Sequence, residues 1–107
     1  MSTVTADPAK TSAGYKPKAK VAVRFSDMSK AMSDEAIRIA DEAFANHLSE
    51  VELAERLKKA FEANHSGVWH CAVGRNFASA LTPRRGTFLR FQIGCLTVIL
   101  YQCETHS

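Results

Sequence analysis

Trp69-His70-Cys71-Ala72-Val73-Gly74-Arg75-Asn76-Phe77-Ala78-Ser79 holds two short β-type runs on either side of one bend. Gly74-Arg75-Asn76 supplies the bend, because glycine and asparagine tolerate the backbone angles that a tight reversal needs. Working outward, Thr82-Pro83-Arg84-Arg85-Gly86 and Gly94 punctuate the chain again and leave two further runs. The expected strands are Val68–Val73, Phe77–Thr82, Thr87–Ile93 and Cys95–Cys103. Their connections are too short for parallel crossovers, so the sheet must be mainly antiparallel.

Upstream of this block the hydrophobic period changes. Ser49-Glu50-Val51-Glu52 has the form of a capping box, and Leu53, Leu57, Ala60 and Phe61 follow on one helical face. Gly67 stands where the chain must leave that helix. An earlier helix carries Ile37, Ala40 and Phe44 as its buried stripe. Asp27, Ser29 or Ser33 can cap it, with Asp34 and Glu35 near the positive end of its dipole. Before both lies Val21-Ala22-Val23-Arg24-Phe25, a short strand bounded by Ser26-Asp27. The expected class is α+β: one N-terminal strand, two helices, then a mainly antiparallel four-stranded sheet.

Residues 1–19 lack periodicity and are rich in Ala, Lys, Thr, Ser, Gly and Pro. They cannot bury enough apolar surface to offset their ordering entropy, so we read 1–19 as a flexible basic tail and 20–107 as the domain. That tail explains the charge. The net +3 is carried by four lysines against Asp7 within residues 1–20, and the remainder is neutral. A neutral domain is a poor footprint for phosphate neutralisation, which argues against nucleic acid as a partner. No apolar run reaches bilayer length and no signal-peptide core opens the chain, so neither membrane insertion nor secretion is expected.

Cys71, Cys95 and Cys103 are odd in number and sit in or beside apolar segments, which fits reduced thiols. No Cys-x-x-Cys pair occurs, and no metal or cofactor is expected. His70 next to Cys71 resembles a base beside a nucleophile, but strand neighbours point to opposite faces, so the two cannot share a hydrogen bond. Structural packing of Cys71 is the better reading. Strand parity adds one constructive observation. Phe88, Arg90 and Gln92 share one face of their strand, and Leu89, Phe91 and Ile93 share the other. The polar-aromatic face is either a half-solvated sheet or a groove that accepts another strand through its backbone.

From Val23 to Tyr101 the chain resembles the dynein light chain family of the eight-kilodalton type. The resemblance rests on Asp27-Met28-Ser29, on Leu57-Lys58-Lys59 with Phe61, and on the long Trp69-to-Ser79 motif, with Thr82, Phe88, Phe91 and Gly94 as further matches. It implies a non-catalytic, strand-swapped two-fold dimer in which Phe77–Thr82 crosses to the other subunit's sheet. Partner peptides would then add antiparallel to that strand. The implied groove residues are Glu50, Val51, Phe77, Ala78, Ser79, Leu81, Thr82, Phe88, Arg90 and Gln92. The implied dimer interface comprises His70, Asn76, Phe77, Ala78, Ser79, Ala80, Leu81 and Thr82. His70 would lie near the two-fold axis, where protonation of facing copies should loosen the dimer.

Departures from the family pattern gather in the groove. Better-known members have lysine at Val51, tyrosine at Arg90, Gln92 and Ala80, glycine at Ala78 and histidine at Pro83. Backbone pairing survives such changes, whereas side-chain selection does not, so an altered partner set is expected in place of the usual Thr-Gln-Thr type motif. The resemblance therefore implies a light chain of a dynein motor, of the axonemal kind, that holds intermediate-chain segments by β-strand addition. It would act as a homodimer or as a heterodimer with another light chain, in the cytoplasm and cytoskeleton and at the axoneme of a cilium. The alternative is a general dimerisation hub for disordered partners outside dynein.

Overall fold

The computed structural model describes residues 16–75 and 83–103. Its elements are β1 (Val21–Ser26), α1 (Lys30–Ala45), α2 (Glu50–Asn64), β2 (Trp69–Gly74), β3 (Leu89–Ile93) and β4 (Leu96–Gln102). The four strands form one sheet in the order β1-β3-β4-β2, with every neighbouring pair antiparallel. Both helices lie against one face of it. The α+β class expected from the sequence is the class observed. The expected strand Phe77–Thr82 lies outside the described residues.

The helix starts follow from their caps. Ser49 Oγ accepts the Glu52 N–H at 3.2 Å, and the Glu52 carboxylate accepts the Ser49 N–H at 2.9 Å, closing the capping box. Ser29 caps α1, its hydroxyl accepting the Met32 N–H at 3.2 Å. With the helix beginning at Lys30, Asp34 and Glu35 fall in the second turn, and the first turn carries no acid. The expected dipole role of those two residues is therefore corrected. Asp27 does something non-local: its carboxylate accepts the N–H groups of Gly86 and Phe88 at 3.1 and 2.8 Å, pinning the loop that leads into β3.

The core forms where the helix stripes meet the inner face of the sheet. Ala36, Ala40, Ala43, Leu53, Leu57 and Phe61 are fully buried against Leu89, Phe91, Ile93, Val98 and Leu100. Phe61 meets Trp69 edge to face with ring centroids 4.9 Å apart. Full burial of a side chain such as Phe61 stabilises by about 1.5–3 kcal/mol. At the exit from α2, Gly67 has φ +98°, and a Cβ there would overlap the Gln102 side-chain amide, which donates to Ser66 O. On α1 the buried Asp41 carboxylate accepts the backbone N–H groups of Lys18 and Ala19 at 2.9 and 3.0 Å, fixing where the N-terminal segment meets the domain.

Candidate partner-binding surface

β2 pairs with β4 along one side, and among the described residues no strand occupies its other side. Such an edge leaves alternate backbone N–H and C=O groups facing outward, and those groups require partners when water is removed. Beside the edge runs a groove of about 340 Å³ lined by Glu50, Val51, Ala54, Lys58, Cys71 and Val73. A broader depression of about 740 Å³ continues past the start of α2 toward Phe44, Leu48, Arg75 and Leu96. Glu50 and Val51 line both, and Val51 is 69% exposed. The first turn of α2 is thus a ridge between two hollows.

Register fixes which side chains face which way. Cys71 opposite Leu100 and Val73 opposite Val98 point toward the helices. His70 opposite Tyr101 and Ala72 opposite Ile99 point to the outer face. His70 and Cys71 are therefore on opposite faces, as strand parity requires, and cannot act as base and nucleophile together. His65, the other histidine within reach of the core, is engaged elsewhere: its Nε2 lies 2.9 Å from the Glu35 carboxylate and its ring packs on Phe61. Burial pushes the Cys71 thiol up to about 12, so it stays protonated at neutral pH.

On the outer face, aromatic rings form a row across the sheet. Phe25 packs on Phe88 at 5.7 Å, Phe88 on Tyr101 at 6.4 Å, and Tyr101 stacks on His70 at 5.5 Å. Arg90 and Gln92 share this face, while Leu89, Phe91 and Ile93 are buried beneath it. A bulge in β1 between Val23 and Phe25 puts Phe25 opposite Arg90 on this face, and the guanidinium of Arg24, the extra residue, donates twice to the Gln92 side-chain oxygen, from Nε at 2.8 Å and from Nη2.

The sequence-derived groove residues therefore divide. Glu50 and Val51 are in the helix layer beside the β2 edge. Phe88, Arg90 and Gln92, with His70 from the expected dimer interface, are on the opposite face of the sheet. Asn76, Phe77, Ala78, Ser79, Ala80, Leu81 and Thr82 lie outside the described residues. One chain does not bring the two sets together. Sequence reasoning missed Arg24, Phe25 and Tyr101 on the outer face. Only the β1 bulge and the pairing of distant strands unite them, and neither leaves a local signal. It also gave Cys71 and Val73 no place in the groove they line.

The model of the family described as "Dynein light chain type 1" matches residues 20–103, which is the whole described fold. The chain belongs to the dynein light chain family. It is 37% identical over 83 residues to "Dynein light chain 1, cytoplasmic" of Candida glabrata, covering 78% of this chain and 96% of that one. It is 33% identical over 89 residues to "Dynein light chain, cytoplasmic" of Emericella nidulans, covering 83% and 95%. Its fold is similar to the dynein light chain-like domain of a calcium-binding protein of Fasciola hepatica. There the TM-score is 0.71 at 12% identity, over 81% of this chain and 94% of that one. This dynein light chain thus joins a family that is generally non-enzymatic.

Proposed function

We propose that this light chain works as a pair of chains in a dynein complex, gripping extended intermediate-chain segments by strand addition. The observation that carries the reading is the unpaired outer edge of β2 beside the Cys71–Val73 groove and the exposed Val51 ridge. A strand laid there continues the sheet and covers the groove at once. A second copy is part of the reading, because Glu50 and Val51 are separated from Phe88, Arg90 and Gln92 by the thickness of the sheet. Two chains related by a two-fold axis can offer the helix side of one beside the outer face of the other. Two grooves per pair then supply avidity that one short strand lacks.

Both curated relatives named above are cytoplasmic, which favours a cytoplasmic dynein over an axonemal one. The second reading, an axonemal light chain with its own partners, is favoured by Val51, Arg90 and Gln92 standing where the family carries lysine and tyrosines. Gentle purification of the chain from its native source, with mass spectrometry of what accompanies it, decides between them. Cytoplasmic intermediate chains support the first reading and axonemal ones the second. A spread of unrelated disordered proteins without any dynein subunit would instead support the general hub and overturn the motor assignment.

A further inference from the structure

The edge of the sheet remote from β2 is β1, and among the described residues no strand occupies its outer side. Gly94 N–H donates to Lys20 O at 2.9 Å, which marks these two as a hydrogen-bonded pair at the end of the β1–β3 ladder. Such pairs alternate along an antiparallel ladder, so the backbone groups of Ala22 turn to Gln92 and those of Val21 and Val23 turn outward. Between this edge and α1 lies a groove of about 480 Å³ whose walls include Val21, Val23, Met28, Lys30, Asp34 and Ile37. Asp34 is 6% exposed, and its Oδ2 is buried without a hydrogen-bond partner. Oδ1 meets the Lys30 ammonium at 3.4 Å, longer than the roughly 2.7–2.9 Å of a strong charge-assisted contact. The Lys30 side chain is 70% exposed, so this is a loose surface contact on a buried carboxylate.

We propose that this groove binds an extended partner segment carrying a lysine, whose ammonium is neutralised by Asp34. A buried carboxylate with one oxygen unpaired is costly, and a cation brought into the groove relieves that cost. The apolar walls Val21, Val23, Met28 and Ile37 suit the methylene stem of a lysine lying over them. Arginine fits less well. Its fork needs both carboxylate oxygens at once, and Oδ2 is buried, whereas an ammonium is a point charge that one oxygen can hold. Outward N–H and C=O groups of Val21 and Val23 give the segment's backbone its partners. The bulge between Val23 and Phe25 interrupts the edge, so two β1 strands cannot zip together along their length. That disfavours a second copy as the occupant, while a short segment against Val21–Val23 avoids the bulge.

The site is on the opposite edge of the sheet from the β2 groove, so it stands or falls independently of the function proposed above. The full chain, labelled with nitrogen-15, would be titrated with the capped peptide Thr-Val-Lys-Val-Thr and with versions carrying norleucine or arginine in place of lysine. Amide shifts should move within Val21–Ser26 and Lys30–Ile37. The lysine peptide should bind about tenfold tighter than the norleucine one, the worth of a hydrogen bond to a charged group, and tighter than the arginine one. Asp34→Asn should abolish that gain. Lys30→Gln, at the exposed start of α1, should instead tighten lysine binding about two- to threefold by removing a competing cation. The norleucine comparison on the unaltered chain needs no variant, so the inference stays testable if Asp34→Asn fails to fold. Equal binding of the lysine and norleucine peptides overturns the inference, as does a lysine preference that survives Asp34→Asn. An arginine peptide binding as tightly as the lysine one overturns the assignment to an ammonium. Shifts confined to Glu50, Val51 and β2, or no shifts at all, show that this edge takes no such segment. If Asp34→Asn alone moves the amide signals of residues 1–15, the chain's own N-terminal segment is the occupant and the partner assignment is wrong. It is equally wrong if Asp34→Asn changes only concentration-dependent self-association, which would make the groove a contact between copies.

Discussion

Alkylation of the native chain by iodoacetamide tests where Cys71 sits. Its thiol is pushed from an ordinary 9.0 up to about 12 by burial alone, against the inner floor of the β2 groove. At pH 8 a thiol titrating at 9 is about one-tenth thiolate, and one at 12 is about one ten-thousandth. Since the thiolate is the nucleophile, Cys71 should react about a thousandfold more slowly than an ordinary thiol, before any steric hindrance is added. Cys95 and Cys103 are exposed and provide the internal comparison on the same molecule. Timed labelling followed by peptide mapping should show Cys95 and Cys103 modified in the native protein while Cys71 remains unlabelled, and all three modified in denaturant. Labelling of Cys71 at a rate within tenfold of the other two would refute the buried-groove placement and reopen thiol chemistry for this chain.

Gly67→Ala should cost about 2–3 kcal/mol, combining a left-handed backbone with displacement of the Gln102 amide from Ser66. Gly86→Ala, at φ +83° with nothing near its added Cβ, should cost only about 1–2 kcal/mol in the same thermal melts. Ser49→Ala breaks the capping box and should lower stability by about 1 kcal/mol, read by urea denaturation at fixed protein concentration. The Lys58 ammonium and the Trp69 N–H hold Glu62 below the usual carboxylate range. A depressed carboxylate stabilises fully above its unfolded value and loses that contribution as pH falls through the folded one. Glu62→Gln should therefore flatten the stability profile below about pH 4.5 relative to wild type, with no change in slope near neutrality.

Much of this fold is local chemistry and could be read directly. Ser49 and Glu52 cap α2 because their side chains reach only backbone three residues away. Leu89, Phe91 and Ile93 alternate with Arg90 and Gln92 because β3 is covered on one face by helices. β4 gave no such alternation. It is a central strand, and Thr97 and Ile99 on its outer face are buried as well as Val98 and Leu100 beneath. Contacts between residues far apart in sequence were not legible. Asp27 looks like a helix cap until it is seen holding Gly86 and Phe88, about sixty positions away. Asp41 looks like one more acid on a solvated helix, yet it is buried and holds the Lys18–Ala19 backbone. For the site, Val51, Arg90 and Gln92 could be named from the family pattern. Their separation across the sheet depends on strand order, which no single segment encodes.

The central claim is that two copies of this dynein light chain hold two extended partner segments. Native mass spectrometry of the purified full chain, 11.8 kDa per copy, with excess synthetic intermediate-chain segment tests it directly. One dominant species containing two chains and two segments is expected. A single chain carrying one segment, or a chain that binds none, would contradict it.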